Sequence, residues 1–238
     1  MTVTRPVLKA TLFAGACLAA FWGYHITQAD APAPRPVSAV SAGSDRELSA
    51  DEAMVFEVGR HDFTESSSGK NVPMGMGHHP EDPRFPWRFR LGDRIDHLSV
   101  DESGGVTMGR SEDLYHDTLT LFDPPLPWLQ DLETGQWIEA KASMTIRDRD
   151  RPDLIKDRGT CTLRLEYVGW QSVRTGRTER KAFAICRRFS AALSVACVEE
   201  QTDQWFGPGL GLLAEQSVET VSAFVPLWST QHHRIRND

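Results

Sequence analysis

Helical periodicity is what this sequence lacks. No run of ten or more residues holds its apolar side chains at a 3.6-residue spacing. That excludes a helical bundle and a doubly wound α/β sheet. Cysteine is scarce, with 4 in 238 residues, too few for a disulfide-stapled miniature fold. No fixed-period repeat is visible, so solenoids and propellers are excluded. Gly-x-Ser-x-Gly, His-Glu-x-x-His and Gly-Lys-Ser/Thr are all missing, which removes the common hydrolase, zinc-protease and P-loop signatures. Ser67-Ser68-Gly69-Lys70 matches Ser-x-x-Lys, but the Ser-Asp-Asn and Lys-Thr-Gly partners of penicillin-recognising enzymes do not occur. The formal net charge of −7 argues against nucleic acid, whose phosphates demand a basic footprint.

The N-terminus has a layout of its own. Arg5 and Lys9 precede 17 residues without a charge, 10–26, and Ala29-Asp30-Ala31 then offers a small-x-small site. This is the form of a secretory signal peptide cleaved after Ala31. The same run, against the ~20 residues that span a bilayer, also serves as an uncleaved inner-membrane tether. A lipoprotein reading through Cys17 fits less well, because the apolar run continues straight through it. In each version the remainder is exported to the periplasm. Residues 32–46, rich in Pro, Ala and Ser, have a linker's composition. Residues 47–238 form a single β-rich domain on this reading.

That domain shows alternation at period two. Phe85, Trp87, Phe89 and Leu91 alternate with Pro86, Arg88 and Arg90. Cys161, Leu163, Leu165 and Tyr167 do the same against Thr162, Arg164 and Glu166. Strands are expected over 95–100, 105–110, 118–122, 136–147, 160–168, 181–189 and 192–200, with turn signals between them. Residues 64–84 read as a long loop, 147–159 as a charged loop, and 123–129 as a break, because three prolines oppose a central strand. Residues 51–58 fit a capped helix or a strand equally. The expected fold is all-β, with room for one or two short helices: an antiparallel curved sheet or half-barrel.

The candidate sites are sparse. Met74, Met76, His78 and His79 place two thioethers and two imidazoles within six residues, a donor set suited to copper. The competing reading is an exposed loop whose donors never converge. Cys186 and Cys197 flank a hairpin and are candidates for a disulfide, leaving Cys161 as a small buried hydrophobe. Glu112, Asp113, His116 and Asp117 are an acid/base cluster or a decorated surface turn. His232 and His233 read as part of a solvated tail. Residues 141–190 hold 13 Lys/Arg against 6 Asp/Glu, either alternating solvated strand faces or a basic face for an acidic partner or anionic headgroup. No catalytic residue and no resident cofactor are assigned.

The glycines of WFGPGLGLLAEQ, 205–216, are spaced wrongly for a dinucleotide fingerprint, and Pro208 lacks the N–H of a phosphate cradle. Strand, reversal at Pro208-Gly209 and a returning strand explain the segment. With Phe122-Asp123-Pro124-Pro125-Leu126, Gly135-Gln136-Trp137 and the pair EYVGWQSV…KAFAICRRF, it resembles exported bacterial half-barrel domains of unknown function, distantly similar to periplasmic lipoprotein carriers. The resemblance covers roughly residues 85–220. It implies a curved antiparallel sheet and no catalytic residue.

These readings converge on a non-catalytic exported envelope protein that takes an apolar ligand or lipid on a curved sheet. Trp87, Trp137, Trp170 and Trp205 are expected near the rim, with Arg177, Arg180, Lys181, Arg187 and Arg188 meeting a headgroup. The alternatives are a scaffold or assembly subunit of an envelope complex, or a copper-handling protein.

Overall fold

Alternation along the chain becomes a wall with an inside and an outside. In the computed structural model, residues 47–54, 59–66, 68–223 and 228–237 are described. The leader, the linker, Ala31 and Ser67 lie outside them. A single helical turn, α1 (Ala50–Ala53), precedes twelve strands: β1 (Gly59–Glu65), β2 (Asn71–His78), β3 (Trp87–Leu91), β4 (Arg94–Val100), β5 (Val106–Asp113), β6 (Thr118–Leu129), β7 (Trp137–Asp148), β8 (Ile155–Thr175), β9 (Thr178–Leu193), β10 (Ala196–Gly207), β11 (Gly211–Ala223) and β12 (Trp228–Arg236). Each pairs antiparallel with its chain neighbours, and β1 pairs with β12. The result is a closed up-and-down barrel.

Closure corrects the expectation of a half-barrel. Three strands make the difference, and all fall in segments whose sequence reads otherwise. β1 runs from before the expected loop 64–84 into its start, β2 occupies its middle, and β12 is built from the tail that carries His232 and His233. Phe63 faces Arg236, Thr64 faces Ile235, and Glu65 faces Arg234 across the seam. Closing the sheet removes its two edges, each a row of unpaired N–H and C=O groups.

The prolines of 123–129 do not end β6. Pairing to β7 stops at Asp123 opposite Ser143. Pairing to β5 jumps from Arg110–Leu121 to Met108–Leu126. Pro124 and Pro125 therefore occupy a bulge on an open edge, where a missing N–H breaks no ladder. The expected charged loop also shrinks, because β8 begins at Ile155.

The inside is apolar at both ends. Phe63, Met74, Phe89, Trp128, Tyr167, Phe183 and Phe206 form one cluster with Leu48, Ala50, Ala53 and Met54. Phe122, Met144, Cys161, Leu163 and Ala191 form a second. Outside, the intervening positions of β7 to β10 carry Glu139, Lys141, Arg164, Glu166, Arg188 and Glu199. Trp205, Ala184, Ala214 and Ile235 form a separate apolar cluster on the outer wall.

The two mouths differ. The odd-numbered hairpins turn at one end and the even-numbered at the other. The segment 47–54 lies across the mouth formed by the β6–β7 and β10–β11 turns. Leu48 bridges Leu132, Ala50 N–H donates to Asp131 Oδ1 at 2.7 Å, and Gly209 N–H donates to the Glu52 carbonyl at 2.8 Å. At this capped mouth Pro208–Leu210 makes the reversal expected of WFGPGLGLLAEQ, with Gly209 at φ 65° and Gly211 at φ 72°. The opposite, second mouth carries the β5–β6, β7–β8 and β9–β10 turns.

Strand packing sets a contrast between two glycines. A Cβ on Gly159 would sit 2.0 Å from the Ala192 carbonyl oxygen, whereas one on Gly77 would meet nothing within 4 Å. Gly159→Ala is expected to destabilise by roughly 1–3 kcal/mol through forced strand separation. Gly77→Ala is expected to stay within about 0.5 kcal/mol of the parent. Urea unfolding midpoints of the two variants test the difference.

Candidate functional site

Inside the barrel, between the capped end and the second mouth, runs a belt of charge. Arg94 on β4 is its centre. Its guanidinium lies 3.3 Å from Asp96, 3.5 Å from Glu215 on β11 and 3.9 Å from Glu200 on β10. Arg234 on β12 reaches Glu215 at 2.9 Å, and Gln204 Nε2 donates to the other Glu215 oxygen at 2.7 Å. Asp96 accepts from Ser111 at 2.7 Å and from Trp128 Nε1 at 3.3 Å. Alternation explains the convergence: Glu215 faces both Gln204 and Arg234 in register, so all three point inward together.

Burial and partnership compete at each carboxylate and guanidinium. Burial alone would push Glu215 upward, but Arg94 and Arg234 overcome it and hold the carboxyl below its ordinary range. Arg94 loses solvation too, yet Asp96, Glu215 and Glu200 drive its pKa higher still. About a third of its side chain remains open to water. The belt is therefore partly open to water at Arg94.

Arg187 on β9 stands apart. It is 8% exposed, and its guanidinium stacks on Trp128 with 4.3 Å from Cζ to the ring centroid. Nη2 donates to the Trp128 carbonyl, which lies beyond the point where the β6–β7 ladder ends. Nε has no partner, and no carboxylate among the described residues makes an ion pair with it. Burial, with Arg94 adding repulsion, pushes its pKa down to about 10, still charged at neutral pH.

Beside the belt, toward the second mouth, the wall becomes apolar. Phe189 and Leu193 continue β9 inward, Val198 faces them from β10, and Ile146 completes the patch from β7. All four point into the barrel, and all four remain partly exposed. Glu200 is 27% exposed on the same side. Glu219 on β11 is held above its ordinary range by burial and by the charge of Glu200. The second mouth thus opens onto one apolar and one ionic wall.

The residues singled out by sequence are dispersed. Met74 and Met76 are buried in the core on β2, His78 packs edge-on against Trp87 at 4.9 Å, and His79 begins the following loop. The expected copper loop is thus a strand whose thioethers are already used in packing. Among the described residues no group of three His, Cys, Asp or Glu is placed to hold a metal. Nor is the Cys186–Cys197 disulfide formed. Cys186 faces Asp203 and Cys197 faces Ala192 in the same ladder, and all three described cysteines are free. That register sets the two thiols six residues apart along neighbouring strands, roughly 20 Å. Burial pushes Cys161 up to about 11 and Cys186 up to about 12, so neither is a ready thiolate.

The histidines are better placed than a tail or a surface turn suggests. His232 bonds Glu65 at 2.7 Å and His233 is buried, with neither ring nitrogen partnered. His116 bonds Asp113 at 2.6 Å at the rim of the second mouth. His97, missed by sequence, is fully buried on the outer face and bonds Glu112 at 2.6 Å. Among the described residues no hydroxyl or thiol bonds the ring of His97, His116 or His232, so none forms a nucleophile–base pair. The expected basic face is also divided. Arg187 points inward, whereas Arg188 points out and meets Glu166 at 3.2 Å. Of the tryptophans, Trp170 packs on Phe183, Trp205 is buried on the outer wall with Nε1 donating to Gln171, and Trp137 is half exposed under Arg164.

Two cavities lie away from the belt. One of about 30 Å³ is lined by Met54, His61, Met74, Met76, Phe89 and Phe206 at the capped mouth. It is a tenth of the smallest common ligand pocket, roughly 300 Å³. The other, about 540 Å³, is an open groove between the β8–β9 tip, with Arg177 and Thr178, and Thr64, Ile235 and Asn237. No family model, curated protein or solved structure matches this chain.

The buried histidines give stability a pH dependence. Burial holds His97 below its ordinary value, with Arg110 and Arg88 adding to the effect and Glu112 opposing it. Burial likewise lowers His233. Both are depressed in the fold, so their stability is fully present above the unfolded value of about 6.5. It is lost as pH falls through the folded values. Denaturant midpoints are expected to fall between about pH 7 and pH 5, and His97→Gln to flatten that fall. An unchanged slope in the variant contradicts the assignment.

Proposed function

We propose that this protein is a non-catalytic exported envelope barrel that takes an apolar or amphiphilic ligand through its second mouth. The observation that carries the reading is the exposure of Ile146, Phe189, Leu193 and Val198 on the inward face of a barrel. Apolar side chains that point inward are expected to be covered by one another. A concave patch left open next to a few fixed polar groups is the usual form of a ligand site. Twelve strands also enclose more space than eight, whose interior side chains just fill. Here residues 47–54 and six buried aromatics fill the capped end, and the exposed inward patch lies toward the second mouth. The exported setting rests on the leader.

A specific observation favours a second reading, docking onto another envelope component. Tyr115, Leu154 and Val195 sit on three separate turns of that mouth and are 76%, 43% and 61% exposed. A rim of apolar tips suits a partner surface, as expected of a scaffold subunit.

Native mass spectrometry of the full chain after gentle extraction distinguishes them. The ligand reading expects a bound amphiphile and a melting temperature that rises with added single-chain lipids. Phe189→Asp is expected to abolish both while the parent's far-ultraviolet dichroism is kept. A chain that carries no lipid and shows no shift, but co-purifies with one stoichiometric envelope protein lost in Tyr115→Ser/Val195→Ser, fits the scaffold instead.

A further inference from the structure

Resting on the amphiphile reading, we infer that the head of the ligand is a carboxylate and that Arg187 receives it. Three observations meet at this side chain. First, Arg187 is a nine-tenths buried cation without a carboxylate in ion-pair contact among the described residues, and its Nε is unpartnered. Its one hydrogen bond, to the Trp128 carbonyl, uses Nη2 and leaves Nε without an acceptor. A planar guanidinium held flat on an indole is preorganised for a bidentate acceptor. Second, Arg187 begins the apolar wall. The inward positions that follow it on β9 are Phe189, Ala191 and Leu193. At the rise of a strand, that wall runs about 20 Å from Arg187 to Leu193. A head seated on Arg187 therefore lays its chain along the exposed patch, with the tail toward the second mouth.

Third, the surrounding charges select the sign and the number. Arg94 already has Asp96, Glu200 and Glu215 around it, and Arg234 has Glu215. Arg187 alone of the three arginines makes no ion pair among the described residues, so its fork suits one added negative charge rather than a doubly charged phosphate. A cationic head would meet Arg187 directly, because Glu200 and Glu219 lie level with Phe189 rather than with Arg187. Glu200 is the loosest partner in the belt, at 3.9 Å and 27% exposed, and it sits opposite Phe189 in the ladder. It is the carboxylate that competes most closely with an incoming one. Thr202 faces Arg187 across the same ladder, but its hydroxyl is committed to Glu200 at 2.8 Å.

The test compares three single-chain probes of one length on the delipidated full chain: hexadecanoate, hexadecanol and hexadecylamine, each by calorimetry at neutral pH. Hexadecanoate is expected to bind about tenfold or more tighter than hexadecanol, as a charge-assisted pair should, and hexadecylamine weakest. Arg187→Gln keeps a donor for the Trp128 carbonyl and is expected to bring acid and alcohol to parity. Glu200→Gln is expected to strengthen the acid by a few fold and leave the alcohol unchanged. If acid and alcohol bind the parent equally, the amphiphile site stands and the carboxylate assignment falls. If none of the probes binds, the amphiphile reading falls with it. Should Arg187→Gln fail to fold, the ranking of the probes on the parent and the response of Glu200→Gln still decide. A gain in hexadecylamine affinity over hexadecanoate overturns the assignment outright.

Discussion

Closure of the sheet is the constraint on which everything else depends. Three register pairs between β1 and β12 turn a twelve-strand ribbon into a barrel. Without them the inward face would be one side of an open sheet, wetted or covered by some other element. With them, each alternate side chain faces an interior from which water is largely shut out. Arg187, Asp96 and Glu215 are buried, and Arg94 and Arg234 half-buried, only for that reason. The seam also takes part in the belt, because Arg234 lies on β12, opposite Glu65 of β1 and Glu215 of β11. Closing the barrel and completing the ion network are one event.

Burying so many charges needs an account, since a buried ion pair gains little over a well-packed hydrophobic pair and an unpaired one costs several kcal/mol, about 3–5 when a partner is removed. Most of the belt answers this by sharing. Glu215 serves two arginines and a glutamine, and Asp96 serves an arginine, a serine and an indole. Arg187 does not fit the pattern. Its stacking on Trp128 and its bond to a freed carbonyl are the contacts of a cation fixed in place, not neutralised. The prolines of β6 are the indirect cause. They end the β6–β7 ladder, and the carbonyl of Trp128 beyond that point is taken by the guanidinium.

Much of the wall was legible beforehand. Cys161, Leu163, Leu165 and Tyr167 announce an inward face by simple alternation, and each is buried in β8. Pro208, Gly209 and Gly211 mark the β10–β11 reversal, because only that use of them satisfies both the proline and the positive φ angles. β1 and β2 escaped notice because Met-Gly-Met-Gly-His offers few β-branched residues, and Gly and Pro mask a period-two pattern. β12 escaped because the middle of WSTQHHRIR alternates polar with polar, with the inward His232 and Arg234 paired to Glu65 and Glu215.

The sequence by itself determined the all-β class, the period-two faces and most of the turns, since these depend on neighbours two to four residues apart. Only the tertiary structure decided that the sheet closes, which charges meet, and where Cys186 and Cys197 stand. Those depend on register between strands distant in the chain, such as Arg94 with Glu215. A shift of one residue would send each inward side chain outside. The candidate site belongs to this second class, because its apolar wall and its cation share an interior only when the twelfth strand meets the first.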